Sequence, residues 1–228
     1  MAWGSLLFRL GLAPYWLDQE AFEADFCQGL ARAILASPYL GASNLNYRFT
    51  GTSGFSLVFR GSGRPRAERE FPEMAPYLRR VVKGGCNAFY LNPLVIRSGG
   101  RVAPHVDRSL RSFTAPEEPP DPVKVSVLYL QVPRGMEGGT LVLHLPGGRT
   151  AAIQPRPQAL LEFRGHLRHE VSAVGGPDGE EPRVSLVCEH YRLPRPLLER
   201  LPEYAVGSTS PFEAFLQGAL GQSVRTRP

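Results

Sequence analysis

Lysine is nearly absent from this chain. Only Lys83 and Lys124 contribute to the 26 basic residues, so the net charge of +5 rests on arginine. The planar guanidinium suits bidentate binding of carboxylate or phosphate. The arginines are scattered among 21 acidic residues with no compact basic run, which counts against a nucleic-acid interface. Cysteine is scarce as well. Cys27, Cys86 and Cys188 lie far apart and form no CxxC, so neither a disulfide framework nor a cysteine zinc site is expected, and a reducing cytoplasm fits. No apolar run approaches the roughly 18 residues of a membrane span. The apolar start, Met1 to Leu12, has no basic lead and is interrupted by Arg9, so a signal peptide is not expected. Internal repeats are lacking too.

What the chain has in quantity is glycine and proline, 24 and 22 residues, against a globular hydrophobic content of 43%. Many turns and short strands follow, hence a β-rich body. Residues 1–17 read as an initial strand or irregular segment. Asp18 reads as the N-cap of a helix of about five turns whose stripe is Phe22, Phe26, Leu30 and Ile34, ending at Ser37-Pro38. Tyr47–Thr50 and Phe55–Phe59 read as a hairpin around Gly51–Gly54, residues 61–70 as a polar loop, and Phe71–Val82 as a second helix.

From Asn87 onward short apolar runs alternate with turns: 88–96, 102–106, 123–132, 140–144, 151–153, 159–163, 169–174 and 183–191. The pattern predicts a mainly β protein with flanking helices (α+β), built on a double-sheet jelly roll. We expect one domain, with helical and hairpin support over 1–86, the core over 87–191 and a C-terminal helical extension over 192–228, including pieces at 196–201 and 211–220. The acidic, proline-rich insert 113–122 cannot be a central strand and reads equally as a lid or a plain loop.

Within this frame Arg101-Val-Ala-Pro-His105-Val-Asp107 stands out. On an extended strand residues i and i+2 share a face, so His105 and Asp107 project together. An imidazole and a carboxylate suit a divalent transition metal but are too few, and alone such a pair is weak evidence. A 2-His-1-carboxylate set is the usual holder of non-haem Fe(II) with open positions. Of the later histidines, His169 at the start of a strand is the best third ligand, with His166 as the alternative. His144 is expected to face solvent and His190 to be structural. On the next strand Arg183, Ser185, Val187 and Glu189 share one face. An arginine turned into a jelly-roll interior is costly unless it meets an anion. A bound dicarboxylate would supply one, with the Ser185 hydroxyl as a second donor. Glu189 either points into the same cavity or pairs with a surface arginine such as Arg192. Arg108 and Arg111 either bind an anionic part of a substrate or sit in a solvated turn.

HxD, a distal His, then Arg on the following strand resembles the motif set of the Fe(II)/2-oxoglutarate-dependent dioxygenases. Val127-Leu-Tyr129-Leu-Gln131, Gly138-Gly139-Thr140-Leu141, Leu161-Glu-Phe163 and His169-Glu-Val-Ser-Ala-Val174 are similar to the prolyl-4-hydroxylase-like branch, over roughly residues 87–191. The resemblance implies a double-stranded β-helix fold. It implies Fe(2+) held by His105, Asp107 and His169, with Arg183 and Tyr129 on the distal carboxylate of the co-substrate 2-oxoglutarate, and O2 as oxidant. Tyr90 and Asn92, on one strand face, are further co-substrate candidates. The implied reaction is hydroxylation of an unactivated C–H bond, of an amino-acid side chain, free or peptidyl, or of a small metabolite. Val125, Val127, Leu141 and Val187 would wall the oxidant off from water. Three departures stand out: a long gap between His169 and Arg183 with an extended turn at 175–179, Gln131 where the branch has Asn, and Val95 where it often has Tyr. The rival readings are a nucleic-acid demethylase of the same chemistry and a non-catalytic jelly roll binding a metal or small anion.

Overall fold

A computed structural model describes residues 3–42, 48–113, 120–176 and 181–209. In chain order the elements are α1 (Trp3–Arg9), β1 (Tyr15–Asp18), α2 (Ala24–Leu35), β2 (Gly41–Ala42), β3 (Phe49–Gly54), β4 (Ser56–Arg60), α3 (Arg64–Glu70) and α4 (Ala75–Val81). Then come β5 (Ala88–His105), β6 (Lys124–Gln131), β7 (Glu137–Gly138), β8 (Leu141–His144), β9 (Thr150–Ile153), β10 (Leu160–Arg164), β11 (His169–Val171), β12 (Val174–Gly175), β13 (Arg183–Tyr191), α5 (Arg195–Leu198) and β14 (Tyr204–Gly207).

The main sheet runs β1-β10-β6-β13-β5-β11-β8-β9, and every pairing in it is antiparallel. It curls because β5, 18 residues long, serves two halves. Its first half pairs with β13 from Ala88 to Ile96, and its far end pairs with β11 at Val102 and His105. The bend falls at Gly99-Gly100. Gly99 has φ +77°, and a Cβ on Gly100 would stand 2.7 Å from the Gly51 carbonyl oxygen. The jelly-roll architecture expected from the strand pattern is the one observed.

Both faces of the larger half are covered, which is why its strands read as nearly continuous apolar runs. On one face Leu128, Leu130, Val184, Leu186 and Cys188 pack against Leu30, Ile34, Tyr77 and Leu78 of α2 and α4. On the other, Val125, Val127 and Tyr129 pack with Leu161 and Phe163 of the neighbouring β10 and with Leu141 and Leu143 of β8. Of the predicted stripe, Leu30 and Ile34 are buried in the core, while Phe22, ahead of α2, and Phe26 pack half-buried against it; Cys27 and Ala31 complete the buried positions of α2.

Several local expectations need correction. Residues 3–9 form α1 before β1. The long helix starts at Ala24 with Glu23 as N-cap and spans 12 residues. Asp18 is held extended in β1 by pairing with Leu160, and its carboxylate bonds Arg80 at 2.7 Å. The 47–59 hairpin does not form. β3 and β4 lie one after the other along β5 and do not pair with each other, so Gly51–Gly54 is strand and not turn. The start of that prediction, Tyr47, lies outside the described residues. The polar loop 61–70 contains α3, supported not by an apolar stripe but by the i,i+4 pairs Arg64–Glu68 and Arg66–Glu70. The second helix is split into a 3-10 turn at Pro72–Met74 and α4. Strands 88–96 and 102–106 are one strand. The piece at 196–201 is the short α5, and β14, which the sequence did not announce, pairs with β4. The helix expected at 211–220 and the chain end lie outside the described residues. Among those described, no helix is long and apolar enough to cross a membrane.

Candidate active site

Two strand ends build the centre of the site. His105 closes β5 and His169 opens β11, and the two are direct cross-strand partners. Cross-strand neighbours stand close enough for their side chains to touch, and the imidazole centroids are 4.4 Å apart. A register shift follows between His169 and Val171. Asp107 lies just past the end of β5 and still projects beside His105, as the i,i+2 spacing indicates. One atom each from His105, Asp107 and His169 fall within 4.8 Å of one another, and all three residues are buried. The long axis of each ring is fixed from behind: His105 Nδ1 is 2.9 Å from the Ala103 carbonyl and His169 Nδ1 is 3.1 Å from the Leu167 carbonyl. A carbonyl only accepts, so each Nδ1 carries the proton and each Nε2 lone pair is turned to the centre. His105 Nε2 is 3.1 Å from Asp107 Oδ1, His169 Nε2 is 3.5 Å from Oδ2, and Oδ2 has no hydrogen-bond partner. Two imidazole nitrogens and a carboxylate converging with a buried oxygen left unsatisfied are the donor set of a divalent cation. Iron(II) fits it.

Charge follows the same geometry. Burial opposes a proton on His105, yet the hydrogen bond and charge of Asp107 hold its pKa above the usual imidazole value. In His169 burial wins over Asp107 and the pKa falls. Burial would raise Asp107, but His169 and His105 hold it below the ordinary carboxylate range. Phe49 and Phe163 pack edge-on against His105 and His169 at 5.4 and 4.8 Å, closing the sides of the rings.

On the same cavity, Arg183 is 1% exposed. Its guanidinium lies 5.1 Å over the Tyr129 ring and 3.5 Å from Ser185 Oγ, and its Nε has no partner. Tyr129 Oη, fully buried, is also without one. Burial lowers the Arg183 pKa, with Tyr129 opposing, but a guanidinium remains charged. The long gap after His169 therefore does not carry Arg183 out of the core, although residues 177–180 of the extended turn lie outside the described residues. Gln131 is spent on the Pro182 carbonyl at 2.9 Å. Val95 packs on the helix-covered face, away from the cavity.

The cavity, of about 50 Å3, is lined by the triad, Arg183, Ser185, Tyr90, Asn92, Glu189 and the apolar walls Val125, Val127, Leu141 and Val187. Tyr129 lies beneath Arg183 and not on the wall. With its amide oriented so that the nitrogen faces the two acceptors around it, Asn92 donates to the Phe55 and Pro93 carbonyls at 2.9 and 3.0 Å, which takes up both its N–H groups. Glu189 faces the cavity at 2% exposure and does not pair with Arg192, which bonds the Gly85 carbonyl at 2.6 Å. Its carboxylate accepts from the Ser109 backbone N–H at 3.1 Å, from the Ser109 hydroxyl and from the Tyr191 hydroxyl. Burial first, then the charge of Asp107, push its pKa up to about 8 against those bonds. Ser109 and Tyr191 went unnoticed in the sequence, although each stands two residues from a candidate on an alternating stretch.

The other histidines fall away. His166 is exposed, His144 pairs with Glu170 at 3.0 Å, and His190 is buried on the helix side with the Ser126 hydroxyl 2.6 Å from Nε2. Arg108 and Arg111 are exposed beside the triad, and Arg108 bonds Asp121 at 2.6 Å. Of the insert read as either a lid or a plain loop, residues 114–119 lie outside the described residues.

No family model matches the chain. No curated protein matches it by sequence either. Solved structures do. A prolyl-4-hydroxylase from Pseudomonas putida superposes with TM-score 0.57 at 18% identity, over 83% of this chain and 98% of that one. A prolyl hydroxylase from Trichoplax adhaerens, solved with a hypoxia inducible factor oxygen degradation domain peptide fragment, gives 0.54 at 14% identity over 81% and 86%. An oxidoreductase of the 2OG-Fe(II) oxygenase family from Burkholderia pseudomallei gives 0.52 at 14% identity over 83% and 89%. At these identities the likeness establishes the fold, which is the one those proteins share.

Proposed function

We propose that this chain is an Fe(II)- and 2-oxoglutarate-dependent dioxygenase that hydroxylates an unactivated C–H bond of an amino-acid side chain, free or within a peptide, or of a small metabolite. The observation that carries the reading is the pairing, on one cavity, of a buried His105–Asp107–His169 cluster with a buried guanidinium that has no acid partner among the described residues. His105, Asp107 and His169 would hold the metal. Bound together, iron, 2-oxoglutarate and O2 supply the oxidising chemistry: the keto acid is decarboxylated to succinate and CO2, and one oxygen atom enters the substrate.

The chain's own residues do the rest. Arg183 and Ser185 grip the distal carboxylate through charge-assisted bonds, with Tyr129 supporting from below. That grip fixes which end of the keto acid faces the triad. The carbonyls of Ala103 and Leu167 keep both imidazoles in the metal-binding tautomer. Val125, Val127, Leu141 and Val187 exclude water from the reacting face. No general base is required. A peptidyl substrate is favoured by the peptide bound to the Trichoplax adhaerens prolyl hydroxylase.

The test is succinate release from 2-oxoglutarate with added Fe(II) under air, with and without candidate peptides. Release abolished in His169→Ala supports the proposal. A metal-binding protein that makes no succinate with any candidate favours the non-catalytic binder.

A further inference from the structure

The cavity at the triad adjoins a second, larger cleft of about 410 Å3, and the two share Phe49, Tyr90, His105, Asp107 and Ser109. Any substrate reaching the triad from this side must pass through it. Its charge is one-sided. Arg48, Arg108 and Arg111 stand around it, and among the described residues the one carboxylate lining it is Asp107, which is turned to the triad. The arginines come from two separate segments, one just ahead of β3 and one around the 3-10 turn Ser109–Ser112. The rest of the lining is mixed: Val58, Phe113 and Val206 are apolar, while Ser56, Tyr90 and Ser109 carry hydroxyls. Arg108 is bonded to Asp121 at 2.6 Å, but the two side chains are 46% and 38% exposed. An ion pair so open to water is weak and exchanges readily for another carboxylate.

We infer that this cleft selects substrates carrying a carboxylate, held by Arg108 and Arg111, separated by apolar atoms from the C–H bond presented at the triad. The inference rests on the proposed reading of the triad and names its substrate class. The shared chemistry is the carboxylate. It comes either from an acidic side chain of a peptide or from a free acid. The arginines of the chain as a whole are scattered among acids with no compact basic run, which does not fit a nucleic-acid backbone.

The probes are fluorescent peptides identical but for one residue next to an aliphatic target: Glu, Gln, Lys or phosphoserine. Anisotropy is read on the full chain at low salt, with and without Mn(II), and an N-acylated glutamate serves as competitor. The Glu peptide is expected to bind at least about tenfold tighter than the Gln peptide, with the preference gone by about 0.5 M salt. Arg108→Gln combined with Arg111→Gln removes the preference. Arg111→Glu shifts it toward the Lys peptide, a gain that a misfolded protein cannot produce. Competition by the N-acylated glutamate at equal strength assigns the carboxylate to a free acid, and weaker competition assigns it to a peptide. Equal binding of Glu and Gln peptides overturns the inference, and so does a phosphoserine peptide binding far tighter than the Glu one. Mn(II) and 2-oxoglutarate titrations of the same protein test the triad by itself. A protein that binds neither yet prefers the Glu peptide retains an acid-selective cleft and loses the oxygenase reading.

Discussion

Arg183 is the residue whose chemistry separates an oxygenase from a mere metal binder. A guanidinium this buried costs several kcal/mol unless an anion meets it, and the groups the structure places against it are a hydroxyl and an aromatic face. Under the proposed function, replacing it by alanine would remove charge-assisted bonds to the keto acid, on the order of 1.5–3 kcal/mol. The expected outcome is a 2-oxoglutarate dissociation constant raised at least tenfold while the Mn(II) constant moves by less than about threefold, both read by calorimetry. Equal losses in the two constants would assign Arg183 a structural role. Glu189 acts on the other partner. It ties the turn after Asp107 to β13 through two bonds from Ser109 and one from Tyr191. Groups that orient a ligand from behind are worth about 10–100-fold in metal affinity. Glu189→Ala is therefore expected to weaken Mn(II) binding by about tenfold, and Ser109→Ala by less. An unchanged metal constant in Glu189→Ala removes Glu189 from the support of the site.

At the scale of elements, β5 carries the design. By running through both halves of the curled sheet it delivers His105 opposite His169, which no pair of separate strands in sequence order requires. Its bend depends on Gly100, where an added Cβ would lie 2.7 and 2.8 Å from the carbonyl oxygens of Gly51 and Arg97 and 2.8 Å from the Ile96 side chain. Gly100→Ala is expected to cost about 1–3 kcal/mol in urea unfolding and to lower Mn(II) affinity as well. A fully stable variant with native metal binding would show that the bend tolerates a side chain. Leu30→Ala on α2 makes the contrast. It opens a cavity on the helix face of the sheet and is expected to cost about 2–5 kcal/mol with the metal constant unchanged. The sequence disclosed the inward set of β13 because a period of two is local. It concealed the join of two short runs into β5, since Arg97-Ser-Gly-Gly-Arg101 reads as a turn until β3 and β11 are present to pair with the residues on either side. It likewise misplaced the start of α2, because Asp18 satisfies every local rule for a cap and is overruled by pairing with β10.

For the molecule as a whole, the triad links two halves of a sheet that are otherwise joined by pairing along β5. A cation held by both halves stabilises the folded state by mass action. At a hundredfold excess over its dissociation constant this amounts to about 2.7 kcal/mol, or about 5–11 °C in melting temperature for a chain of this size. EDTA is expected to reverse the shift and His169→Ala to abolish it. A shift of the same size in that variant would place the bound metal elsewhere. The site was readable in the sequence further than the fold was. Spacing alone paired His105 with Asp107, and the anion requirement of a buried arginine singled out Arg183. The cleft with Arg48, Arg108 and Arg111 was not readable, because it exists only where the segment before β3 comes to lie beside the turn after β5.

The central claim is tested most directly by titrating 2-oxoglutarate into the anaerobic protein with and without one equivalent of Mn(II). The expected result is one metal per chain, keto-acid binding that requires the metal, and loss of the second but not the first in Arg183→Ala. Binding of 2-oxoglutarate with equal affinity in the absence of metal, or no metal bound at His105, Asp107 and His169, would contradict it.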